Sequence, residues 1–98
     1  MLTLTKLIDT YDLSLNPSGL SKCLEKRGVI IDVEYESTTG RGHTKTFKAI
    51  ANEFLHLGEN KASGFHEFKT EMKFKEEAIP EILDLVIEQL EKERGSLK

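Results

Sequence analysis

The chain has 98 residues, 38% of them hydrophobic and 32% charged, which suits one domain with a modest core and is too apolar for a disordered chain. Fourteen Lys and Arg stand against 17 Asp and Glu, a net charge of −3, which excludes a uniformly basic surface of the kind that coats nucleic acid. Cys23 is the only cysteine, so no internal disulfide can form, as suits a reducing compartment.

No run approaches the roughly 20 apolar residues of a membrane span. The N-terminus carries only Lys6 before Asp9 and no apolar run, unlike a signal peptide. The expectation is a cytoplasmic protein that does not engage a membrane. A single domain, 1–98, is expected. Residues 1–28 are helix-turn-helix-like, 29–74 form a hairpin or sheet with a short helix, and 75–95 form a C-terminal helix.

In chain order, Leu4, Leu7, Ile8 and Tyr11 have the spacing of a buried helical stripe, with Thr3 as cap. Asp12 to Leu15 connect, with Leu13 and Leu15 turned inward. Asn16 is a candidate N-cap and Pro17 suits the first helical position. Leu20, Cys23 and Leu24 then share one face, Lys22, Lys26 and Arg27 lie opposite or at the end, and Gly28 stops the helix. Two short helices with a short connection make a helix-turn-helix candidate.

Residues 29–36 alternate, with Val29, Ile31, Val33 and Tyr35 on one side and Asp32, Glu34 and Glu36 on the other. Thr38 to His43 read as a glycine turn. Residues 44–57 fit either a helix or a return strand; the reading adopted is a strand to about Ile50, then a short helix over 51–57. Gly58 to Asn60 read as its stop, and Lys61 to Gly64 as a loop. Phe68, Thr70, Met72 and Phe74 alternate with charged residues, which predicts a strand over 66–74. The last helix is expected from Glu77 to Arg94, with Pro80 in its first turn and Gly95 as its stop. Its apolar face comprises Ile79, Ile82, Leu83, Val86, Ile87 and Leu90; Leu85 lies off that face and suggests a second surface, such as a homodimer contact. The fold class is therefore α+β, winged helix-turn-helix-like, with two short N-terminal helices, a small antiparallel sheet and a long C-terminal helix.

No catalytic constellation is legible. His43, His56 and His66 lack metal-ligand spacing, and Cys23 occupies an apolar helical position that suits a buried thiol. Gly40-Arg41-Gly42 is a turn and not a nucleotide fingerprint. No enzyme, no metal and no cofactor are expected. Charge is unevenly spread. Residues 75–98 carry seven acids and four bases, and residues 17–27 carry three bases and one acid. The basic face of residues 17–28 reads either as a solvated surface or as a groove-facing helix. For DNA, Ser18, Ser21 and Lys22 are placed to reach base edges, with Lys26 and Arg27 beside them. Arg41 and His43 lie at the hairpin tip, where an Arg suits a narrow minor groove. Lys45, Lys48 and Lys61 suit phosphates.

The runs Leu4 to Ile8 and Leu20-Ser21-Lys22-Cys23-Leu24-Glu25-Lys26-Arg27-Gly28 resemble the opening of the small winged-helix domains of phage antirepressors and related phage regulatory proteins. Leu57 to Lys61 resembles the Tyr-Gly-x-Asn turn after their short middle helix. Phe65 to Phe74 with Ile79 to Leu83 resembles their closing strand and helix. The chain departs from that pattern in a longer connection over Asp12 to Gly19 and in Leu57 before Gly58. The resemblance implies a phage-type DNA-binding transcriptional regulator. The charge pattern also fits a different protein, a small phage-encoded inhibitor that binds a host protein through the acidic C-terminal helix or a sheet face.

Overall fold

A computed structural model describes residues 1–36, 44–62 and 69–97. The expected hairpin tip, with Arg41 and His43, and the start of the aromatic strand, 66–68, lie outside the described residues. Element order is α1 (Leu4–Tyr11), α2 (Pro17–Lys26), β1 (Ile30–Glu36), β2 (Thr44–Ile50), a 3-10 segment (Asn52–Leu57), β3 (Gly58–Ala62), β4 (Thr70–Phe74), a 3-10 turn (Glu76–Ala78) and α3 (Ile79–Ser96). The class is α+β, as expected. The strands form two separate antiparallel pairs, β1–β2 and β3–β4.

Both N-terminal helices start and stop on local chemistry. The Thr3 hydroxyl accepts from the Lys6 N–H at 3.3 Å, and Asn16 Oδ1 accepts from the Gly19 N–H at 2.6 Å. Each helix ends in a left-handed residue, Asp12 (φ 48°) for α1 and Gly28 (φ 78°) for α2. The next residue then donates back five positions: Leu13 N–H to Ile8 O, and Val29 N–H to Leu24 O. This turn satisfies orphan carbonyls and swings an apolar residue onto the body. Val29 is fully buried, and Leu13 packs at the edge of the core.

One core holds the elements together. Leu7 and Leu20, Leu24, Val29, Leu57, Phe74 and Ile82 are completely buried, drawn from both N-terminal helices, the strand ends and α3. Leu2 ties the start of the chain to β4 by two backbone hydrogen bonds, Leu2 N–H to Phe74 O at 2.8 Å and Phe74 N–H to Leu2 O at 2.7 Å. Burial falls along the β1–β2 ladder, from the buried Ile30–Ile50 pair to the exposed Glu34–Thr46 pair. The hairpin leaves the core as it extends.

Several expectations change here. Tyr11 is exposed, not buried, and its hydroxyl donates to Glu76. At the entry to β1 the core takes Val29 and Ile30, while Ile31 is exposed, because the turn at Gly28 puts consecutive residues into the core before the alternation begins. Gly58 does end the 3-10 segment, its N–H donating to Leu55 O, but in an extended and not a left-handed conformation, and Gly58 to Asn60 go straight on as a strand. They open β3, paired Gly58 to Phe74 and Asn60 to Met72. Asn60 grips β2 through both ends of its amide, accepting from the Ile50 N–H at 2.8 Å and donating to the Ile50 carbonyl at 2.9 Å. In α3 the buried row is Ile79, Ile82, Val86 and Gln89. Ile87 and Leu90 are exposed, Leu83 is half-buried, and Leu85 packs against the core. The helix also runs through Gly95 to Ser96.

Candidate nucleic-acid interface

The helix nominated for DNA contact is α2, and its apolar side is anchored as expected, with Leu20, Cys23 and Leu24 buried. Its polar side divides into two halves. Toward its N-terminus Ser18 is exposed and Ser21 half-buried, and at mid-helix Lys22 is exposed, its charge also acting on Glu93. At the C-terminal half, the bases meet α3. Lys26 Nζ lies 3.2 Å from Glu93, and the Arg27 guanidinium lies 3.1 Å from Glu88. Gln89, buried in the same seam, donates to Glu93 at 2.8 Å. That hydrogen bond, and then the Lys26 ammonium, hold the Glu93 carboxyl below the usual carboxylate range.

One of the three lysines expected to hold phosphates is also engaged. Lys48 on β2 pairs with Asp32 on β1 at 2.7 Å and with Glu25 on α2. These two carboxylates, Asp32 first, hold its ammonium protonated above the ordinary lysine value. Lys48 therefore fastens the hairpin to α2. Lys45 lies on the other face of β2, opposite Tyr35, and is exposed. Lys61 is exposed on β3, opposite Glu71 in the register. Of the residues the sequence pointed to, Ser18, Ser21, Lys22, Lys26 and Arg27 lie on α2 and Lys48 meets it from the hairpin, whereas Lys45 faces the other side of β2. Lys61 belongs to the other strand pair.

The acids that meet α2 were not legible beforehand, because Glu88 and Glu93 are ordinary charged positions of a long helix. The readable signal was the row Ile79, Ile82, Val86, Gln89 and Glu93, spaced three and four apart. Its last two members are polar, which hid its continuation. His56, placed by its sequence near a helix end, lies 2.6 Å from Glu81. Among the described residues no cluster of His, Cys, Asp and Glu could hold a metal ion, and no helix is long and apolar enough to cross a membrane. No family model, curated protein or solved structure matches the chain.

Proposed function

We propose that the protein is a small phage-type DNA-binding regulator that reads DNA through the N-terminal half of α2, with the β1–β2 hairpin as a wing. The observation that carries this reading is the division of α2. A helix-turn-helix contacts base edges with the N-terminal residues of its second helix. In α2 that is the part left open, with Ser18 exposed in the first turn and Lys22 exposed at mid-helix. The C-terminal half is held by Glu88 and Glu93, and the hairpin is held by Lys48. The side chains left without these ion pairs make the proposed contact set, Ser18, Ser21 and Lys22 on α2 and Lys45 on β2, to which the sequence adds Arg41, His43 and Lys61.

A narrow cationic set predicts a shallow salt dependence. Binding to duplex DNA falls with a log–log slope near −0.9 per phosphate neutralised, so four such bases give about −3 to −4. The test is fluorescence anisotropy on a labelled duplex of mixed sequence, from low to physiological salt. Lys22→Glu is expected to abolish retention, and Lys26→Gln to leave most of it. Absence of retention at low salt, or an unchanged Lys22→Glu variant, would sink the reading.

A further inference from the structure

Beside its buried row, α3 carries a second stripe. Leu83, Ile87, Leu90, Arg94 and Leu97 recur at alternating intervals of four and three residues, the spacing of a coiled-coil seam. Ile87 is 53% exposed, Leu90 47% and Leu97 87%, while Leu83 joins the stripe to the core. The alkyl stem of Arg94 continues the apolar surface between them. On the side turned away from the core the stripe is bordered by Asp84 and Glu91, both exposed. They stand seven residues apart, about 10 Å along the helix. Glu88, one row further round, is occupied by Arg27.

We infer that this stripe is a docking surface for a basic amphipathic helix of another protein, with apolar residues at heptad spacing against Ile87, Leu90 and Leu97 and Lys or Arg one heptad apart against Asp84 and Glu91. Charge decides the occupant. Two copies of α3 laid antiparallel on this seam bring Asp84 of one against Glu91 of the other, twice over. Two copies laid parallel stack Arg94 on Arg94. Each copy also carries a net charge of −3. A helix with a cationic flank meets none of these repulsions and neutralises both carboxylates. This is the helix-on-helix mode of recognition, with apolar anchors along one face of each helix. It is independent of the DNA reading, which uses α2.

The test uses the full chain and a synthetic three-heptad peptide with Leu at positions a and d and Lys at e and g. A control peptide carries Glu in place of Lys. Binding is read by anisotropy of the labelled peptides at physiological salt. The Lys peptide is expected to bind and the Glu peptide to bind at least tenfold more weakly. Ile87→Ser with Leu90→Ser, which leaves the charge unchanged, is expected to weaken the Lys peptide tenfold or more while circular dichroism stays that of the parent. Asp84→Lys with Glu91→Lys, two exposed positions that leave the stripe intact, is expected to reverse the peptide preference. Equal binding of both peptides, no binding of the Lys peptide, or no effect of either double variant would overturn the inference. So would sedimentation of the parent chain as a dimer that Ile87→Ser with Leu90→Ser converts to monomer, because the occupant would then be a second copy.

Discussion

Two residues of β3 show how much a single atom decides. Gly58 has an extended backbone, so its need for glycine is spatial. A Cβ there would lie 2.0 Å from the Lys73 carbonyl oxygen and 2.9 Å from the Phe74 Cα. Neither neighbour is a movable side-chain end, so Gly58→Ala must push β4 away from the core. A loss of more than about 2 kcal/mol is expected in urea unfolding. Asn60, two residues on, serves one donor and one acceptor of Ile50 with a single planar amide. Asn60→Leu removes both partners and leaves two backbone groups of a buried residue unmatched. The expected cost is about 1–3 kcal/mol by the same measurement, and hydrogen exchange at the Ile50 amide should accelerate.

At the scale of elements, α2 and α3 are joined by groups that titrate. Glu93 has a folded pKa below its unfolded value, so its anion favours the fold. That contribution is complete above the ordinary value of 4.5 and is lost as pH falls through the lower folded value. Acid unfolding of the parent should therefore be steeper below about pH 5 than that of Glu93→Gln. The Lys48 link has the opposite sign, being present below the ordinary 10.5 and lost as pH rises through the raised folded value. Element identity was largely legible in the sequence. Thr3, Asn16, Pro17 and Gly28 announce α1 and α2 by local chemistry, and the alternation of residues 29–36 announces β1. What the sequence did not reveal depends on contacts between distant segments. Asn60 looks like a turn residue until Ile50 lies beside it. Ile87 and Leu90 look like core until Gln89 is found buried in their place. Lys26 and Arg27 look like a free cationic end until Glu93 and Glu88 arrive from the far end of the chain.

Across the whole molecule the two strand pairs and three helices share one core, so they should unfold together. Leu24 is completely buried beneath α2, and Leu24→Ala should cost about 2–5 kcal/mol. The loss should register equally in helical circular dichroism and, in a Tyr11→Phe background, in the fluorescence of Tyr35 on β1. Transitions that separate between these probes would show that the hairpin melts by itself.

The pairing of Leu2 with Phe74 has a consequence during synthesis. Leu2 waits for β4, the last of the described strands, before its backbone is matched, and at about 5–20 residues per second that wait lasts roughly 4 to 14 s. Until then the leucines of the opening helices have no roof, and a nascent chain stalled before β4 presents them to any chaperone at the ribosome exit.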